Sequence, residues 1–87
     1  MSKKIIFNYH PFTFQQVIYY YDEENDYREE HFVVQSQIPE IIKGLINSYN
    51  AKEVELYGPK EIMEHFKADI LTNFEDNEDL KIEIKGE

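Results

Sequence analysis

Hydrophobic residues in the first part of the chain alternate with polar ones or cluster with aromatic and β-branched residues, as they do in strands. Three segments show this pattern: "KKIIFNY" (3–9), "FTFQQVIYYYD" (12–22) and "REEHFVVQS" (28–36). Pro11 cannot donate a ladder hydrogen bond and belongs in the break between the first two. The polar "EENDY" separates the second segment from the third. The pattern predicts an antiparallel meander of three strands.

The second part of the chain changes to a helical period. In "IPEIIKGLINSYN" the apolar residues recur at i, i+3, i+4 and i+7, which predicts a helix with Ser36 as its cap and Pro39 in its first turn. "KEVELYG" (52–58) predicts a short strand, and "PKEIMEHFKADILTNF" (59–74) predicts a second helix. "LKIEIK" (80–85) alternates strictly, which is typical of a half-buried strand near an edge.

The resulting element order is βββαβαβ, and it predicts an α+β (mixed α/β) fold with two helices on a five-stranded mixed sheet. Each helix is long enough to act as a crossover, so we expect the later strands to run parallel with right-handed connections. Eighty-seven residues without a repeat or a linker predict one compact domain over residues 1–87.

This order of elements is similar to that of a minimal ribonuclease H-like fold, and the resemblance covers nearly the whole chain. Members that cleave nucleic acid place acidic residues near the end of the first strand and at the end of the fourth, where they hold divalent metals. The corresponding residues here are Asn8 and Gly58. Since neither an amide nor a glycine can form that metal site, the resemblance implies a copy of the fold without catalytic acids.

The sequence also lacks the residues that other kinds of catalysis require. The chain has no cysteine, no GxSxG elbow and no Gly-rich phosphate loop. His10, His31 and His65 do not have metal-ligand spacing, and the acids after residue 21 lack the glycine and the final glutamate of a calcium loop. We therefore expect no enzymatic activity, no cofactor and no metal site.

The formal net charge is -9, and much of it is concentrated in one stretch. Residues 22–30 hold six carboxylates against one arginine. This balance argues against direct binding to nucleic acid or to an anionic membrane, and it favours a basic protein as partner. No apolar run approaches the roughly 20 residues that cross a bilayer. "MSKKIIFNYHPF" is a poor signal peptide, so we expect a cytoplasmic location.

Carboxylates on a rigid surface can imitate the phosphates of nucleic acid and occupy a groove lined by Arg and Lys. Tyrosines beside them add apolar contact area with a polar tip. Alternation places either Tyr20, or Tyr19 and Tyr21, on the sheet face away from the helices. The residues predicted to contact a partner are Asp22, Glu23, Glu24, Asp26, Glu29, Glu30, Tyr19, Tyr21 and Tyr27, and in the loop before the last strand Glu75, Asp76, Glu78 and Asp79.

The favoured hypothesis is a non-enzymatic inhibitor that occupies the basic groove of a nucleic-acid-handling protein. Small acidic proteins of this kind resemble phage-encoded inhibitors of host nucleases and of CRISPR or restriction systems. The alternative is a structural subunit that forms a homodimer or larger homo-oligomer through its tyrosine-bearing sheet face or the edge strand 80–85. An enzyme or ligand-binding domain with a degenerate ribonuclease H-like fold is the least favoured. The acidic stretch can also be a solvated turn that serves solubility.

Overall fold

The residues that the structure describes form five strands and two helices in the predicted order. The structure is a computed structural model, and it describes residues 3–74 and 79–86. The elements are β1 (Lys3–Asn8), β2 (Gln15–Asp22), β3 (Tyr27–Val34), α1 (Ile38–Tyr49), β4 (Glu53–Tyr57), α2 (Lys60–Thr72) and β5 (Lys81–Lys85). The strands lie in the order β3-β2-β1-β4-β5. β2 is antiparallel to β1 and β3, whereas β4 is parallel to β1 and β5, so the mixed sheet and its parallel second part are confirmed.

Both helices cover the same face of the sheet. They are neighbours, because Lys43 of α1 donates a hydrogen bond to Asp69 of α2 at 2.9 Å. Beneath the helices every second strand residue is buried, as the alternation of side chains requires. The buried apolar side chains are Ile5, Phe7, Ile18, Tyr20, Val33, Ile38, Ile42, Leu45, Ile46, Ala51, Val54, Leu56, Met63, Ile70, Leu80 and Ile82.

The start of α1 differs from the prediction. Ser36 lies in a 3₁₀ turn that precedes the helix, and Gln37 occupies the N-cap position without a capping side-chain hydrogen bond. The predicted Ser36 cap is therefore wrong, while Pro39 lies in the first turn as predicted. The helices have 12 and 13 residues. None of the helices in the described ranges is long and apolar enough to cross a bilayer.

The start of β2 also differs from the prediction. The segment 12–22 was predicted as one strand, but β2 begins at Gln15, and Phe12 and Phe14 lie in the preceding loop. If the alternation had continued, both rings would lie under the helices with Ile18. They are instead 97% and 84% exposed, so two large apolar side chains stand in solvent at this end of the sheet.

Candidate interaction surface

The face of the sheet opposite the helices is a candidate surface, and no described helix covers it. Tyr19 and Tyr21 lie on this open face with their rings stacked, the centroids 6.1 Å apart. Tyr20 lies on the other face, where its ring stacks on Tyr49 of α1 at 4.1 Å. Of the two arrangements that the sequence allowed, the structure has the one that exposes the pair Tyr19 and Tyr21.

An apolar cluster lies on the part of the open face formed by β1, β2 and β3, beside the charged side chains of Arg28 and Glu30. Val17 lies opposite Phe32, and Ile6 lies opposite Tyr19 in the strand register. Phe32 is 60% exposed. We call this cluster the aromatic half; it consists of Ile6, Val17, Tyr19, Tyr21 and Phe32. Rings and branched side chains without a covering layer are a common feature of protein-binding surfaces.

The remainder of the open face, formed mainly by β4 and β5, carries ion pairs. We call it the ion-pair half; it consists of Lys4, Glu55, Lys81, Glu83 and Lys85. The Glu55 carboxylate lies 3.4 Å from the ammonium groups of both Lys4 and Lys85. Glu83 lies 3.2 Å from Lys81 and 3.5 Å from Lys85. These charges neutralise one another, so this half offers little net charge to a partner.

Glu55 shows how closely these groups interact. Burial raises the pKa of its carboxyl. The hydroxyl of Tyr57 at 3.0 Å and the ammonium groups of Lys4 and Lys85 lower this pKa by a larger amount, so the net shift is downward. The pKa of Lys85 is raised in return, mainly by the charge of Glu55. Both groups are therefore held in their charged forms by their neighbours on the sheet.

The acidic turn between β2 and β3 is fixed by Asp22, which is only 6% exposed. Its carboxylate accepts hydrogen bonds from the Asn25 backbone N–H at 3.3 Å and from the Asn25 amide at 2.8 Å. The hydrogen bond from the Asn25 side chain is the main reason why the pKa of Asp22 is lowered. Asp26 closes the turn in the left-handed conformation, with φ of 51°. Asp22 is thus an internal anchor, while Glu23, Glu24 and Asp26 are exposed.

A second internal anchor is Glu29, on the helix-covered face of β3. The hydroxyls of Tyr27 and Tyr49 both donate to Glu29 Oε2, and Nε2 of His31 lies 2.8 Å from Oε1. These hydrogen bonds, that of Tyr27 first, lower the pKa of Glu29 to about 2. Glu30, the next residue, is exposed on the open face.

The structure therefore divides the predicted contact residues into groups. Glu23, Glu24, Asp26 and Glu30 are exposed carboxylates, whereas Asp22, Glu29 and the Tyr27 hydroxyl are engaged within the molecule. Asp79 is exposed and precedes β5, so it lies at the same end of the sheet as the acidic turn but on the far side of β1 and β4. Glu75, Asp76 and Glu78 lie outside the described residues.

Sequence reasoning missed the aromatic loop over residues 10–14. Gln16, only 1% exposed, holds this loop: its Oε1 accepts from the His10 backbone N–H at 2.9 Å. Its Nε2 donates to the carbonyls of His10 and Thr13 at 2.8 and 2.9 Å. The loop is thereby kept in a shape that exposes Phe12 and Phe14. The signal in the sequence was a glutamine on the face of β2 that otherwise holds Ile18 and Tyr20.

The positions that hold metals in ribonuclease H-like nucleases are also resolved. Asn8 of β1 is adjacent to Tyr57 of β4, so the ends of the two strands do come together. A Cβ at Gly58 would lie 2.8 Å from the Cβ of Tyr9, which makes an acidic side chain there sterically costly. Within residues 3–74 and 79–86, no three His, Asp or Glu side chains are grouped so that they could hold a metal ion.

Comparison with known proteins adds no relative. No protein-family model matches the chain, and no curated protein or solved structure matches it. The similarity to the ribonuclease H-like fold accordingly rests on the order of the elements and the mixed five-stranded sheet. Any functional argument must start from the surfaces described above.

Proposed function

We propose that this chain is a non-enzymatic protein-binding domain whose partner is a basic protein that handles nucleic acid. The observation that supports this is an acidic turn whose backbone is anchored: Glu23, Glu24 and Asp26 are exposed, while Asp22 is buried and accepts hydrogen bonds from Asn25. A turn whose backbone is held by such hydrogen bonds loses less conformational entropy on binding than a loop without them. The net charge of -9 further attracts a basic surface over a distance.

The mechanism that we propose is mimicry of a nucleic acid. The exposed carboxylates of the turn, together with Glu30, accept hydrogen bonds from Arg and Lys side chains that otherwise bind phosphates. Most of the aromatic half lies on β2 and β3, the two strands that the turn joins, and it packs against apolar surface at the margin of the groove. In this proposal the protein is a cytoplasmic inhibitor of the phage anti-defence type, directed against a CRISPR or restriction nuclease.

Affinity capture from a bacterial lysate tests the proposal with three forms of the protein. One is native; one carries Glu23→Lys and Glu24→Lys in the turn; the matched control carries Glu61→Lys and Glu64→Lys on the exposed side of α2. Both variants change the net charge equally. We expect the native and control forms to retain a basic nucleic-acid-binding protein that duplex DNA releases, and the turn variant to retain none. Equal retention by all three forms, or retention by none, contradicts the proposal.

A second candidate function, self-assembly, is favoured by the balanced charge of the open face. Two such faces do not repel each other despite the net charge of the chain, and the aromatic half supplies apolar area for the contact. Sedimentation over a wide concentration range tests this, with Tyr21→Lys as the variant expected to remain monomeric. A native protein that is monomeric throughout excludes it. The charged residues of the open face are Lys4, Arg28, Lys81 and Lys85 against Glu30, Glu53, Glu55 and Glu83.

A further inference from the structure

The outer side of β3 is a long edge that no lysine or proline of the strand blocks. β3 pairs with β2, and no other described strand lies against it. It has eight residues, whereas β5 at the opposite edge has five. Proteins commonly block such edges with short strands, lysines or prolines, because an unpaired edge accepts a further strand. β5 carries Lys81 and Lys85, but β3 contains neither a lysine nor a proline.

The backbone groups available on this edge follow from the strand register. The Val34 N–H donates to the side-chain Oε1 of Gln37 at 3.1 Å and therefore points away from β2. The pairing of β3 with β2 has no bulge between Tyr27 and Val34, so the outward direction alternates along the strand. The N–H and C=O groups that point outward with Val34 are those of Arg28, Glu30 and Phe32.

The charges along this edge indicate what kind of strand it accepts. The acidic turn, with Glu23, Glu24 and Asp26, lies at the start of β3, and Glu30 is exposed further along. Arg28 is the one Lys or Arg side chain of β3. At the other end Phe32 offers an exposed ring. A strand added to this edge therefore lies beside carboxylates near the start of β3 and beside an apolar ring near its end.

We propose that β3 accepts an extended basic segment of a partner protein as a sixth strand of the sheet. Its backbone pairs with Arg28, Glu30 and Phe32, and its Lys or Arg side chains lie against Glu30 and the acidic turn. Addition of a strand gives affinity through the backbone and selectivity through alternate side chains. This inference rests on the proposed function in taking the partner as basic, and it adds the conformation in which the partner is bound.

A synthetic peptide tests the pairing on the native protein. The probe is a ten-residue peptide of alternating lysine and threonine, and its control has the same residues in alternating L and D configuration. The control keeps the charge but cannot form a regular strand. We expect the L-peptide to slow the hydrogen exchange of the Arg28, Glu30 and Phe32 amides by about tenfold or more, the effect of one added hydrogen bond. The amides of β5 stay unchanged.

Two variants at one position separate backbone pairing from charge. Glu30→Gln removes only the charge and is expected to weaken peptide binding about two- to fivefold, as for an exposed ion pair. Glu30→Pro also removes an outward N–H that the β2–β3 ladder does not use, and it should weaken binding about tenfold or more. Circular dichroism and the β2–β3 amide signals verify that each variant is folded.

The outcomes distinguish this inference from the proposed function. Equal binding of the two peptides, without protection of the three amides, overturns strand addition and leaves a purely electrostatic attraction to the acidic turn. Failure of both peptides to bind also overturns it, while the lysate capture independently decides whether a basic partner exists. Protection of the same amides on concentrating the protein alone would assign the edge to a second copy and overturn the basic partner.

Discussion

The β2–β3 hairpin and the β4–β5 pair are stabilised by different kinds of polar interaction. In the hairpin, buried or half-buried groups bond to turns and neighbouring side chains: Gln16 to the aromatic loop, Asp22 to the acidic turn, and Glu29 to two tyrosines. In the β4–β5 pair the charged side chains lie on the open face and pair with one another, as Glu55 does with Lys85.

This difference separates the part of the sheet whose carboxylates stay exposed from the part whose charges are paired. Hydrogen bonds to an ionised, sheltered group are strong and little affected by salt, so the hairpin keeps its shape while its other carboxylates remain in solvent. Ion pairs at the surface are weak, and the paired charges neutralise each other. The hairpin therefore presents charge, whereas the β4–β5 pair cancels it.

The largest expected effect comes from removing the anchor of β3. Glu29→Ala leaves the hydroxyls of Tyr27 and Tyr49 and the His31 ring without their shared acceptor, so we expect a loss of about 3 kcal/mol in the free energy of unfolding. Urea denaturation at pH 7 measures it. The neighbouring Glu30→Ala, at an exposed position, should change stability by no more than about 0.5 kcal/mol. Similar losses in the free energy of unfolding of the two variants would contradict the anchoring role of Glu29.

Low pH should remove much of the contribution that Glu29 makes to the free energy of unfolding. The folded-state pKa of Glu29 is about 2, below its ordinary value of 4.5, so its stabilisation is complete above about pH 5 and is lost as the pH falls from 4.5 towards 2. We expect the stability gap between the native protein and Glu29→Gln to narrow steadily over this range. Urea denaturation at pH 7, 4 and 2.5 measures the gap, and a constant gap would show that the carboxylate is not held ionised.

A smaller and salt-sensitive effect is expected in the ion-pair half. Glu55→Gln removes the acceptor charge between Lys4 and Lys85 and should cost about 1 kcal/mol or less. In 1 M salt, where the screening length is about 3 Å, most of that cost should disappear, whereas the cost of Glu29→Ala should persist. Denaturation of both variants at low and high salt makes the comparison. A loss from Glu55→Gln that salt does not change would mean that the ion pairs of the β4–β5 pair resist screening as well as the hydrogen bonds of Glu29 do.

The smallest effect is expected at Tyr20. Its hydroxyl is buried and has no hydrogen-bond partner among the described residues, so Tyr20→Phe should leave stability unchanged within about 0.5 kcal/mol or raise it slightly. Tyr49→Phe is the matched control, because its hydroxyl donates to Glu29 and its loss should cost about 1 to 2 kcal/mol. Equal effects in the two variants would mean that the hydroxyl of Tyr49 does not stabilise Glu29.

Periodicity in the sequence was sufficient to predict the order of the elements and the mixed five-stranded sheet. The period of two in β5 and the period near 3.6 in α1 follow from burial on one face, and both are local properties of the chain. Alternation also separates Tyr20 from Tyr19 and Tyr21, although it does not say which face the helices cover. That choice depends on packing between segments far apart in the chain.

The roles of the individual acids could not be predicted in the same way. Glu29 and Glu30 are adjacent and chemically alike. Tyr49, twenty residues later on α1, joins Tyr27 and His31 in making Glu29 an anchor, while Glu30 stays exposed. The same holds for Phe12 and Phe14, which continue the alternation of β2 in the sequence. Hydrogen bonds from Gln16 hold the backbone in a loop there and override the local preference for a strand.

The position of Gln16 and Asp22 at the two ends of β2 has a consequence for how such a protein can evolve. Each residue fixes the loop beside it from within the core, and neither belongs to the exposed tips at residues 11–14 and 23–26. The residues that fix the two loops are therefore separate from the residues at their exposed tips. Substitutions at the tips can accumulate without loss of the fold, as long as position 26 tolerates its left-handed backbone.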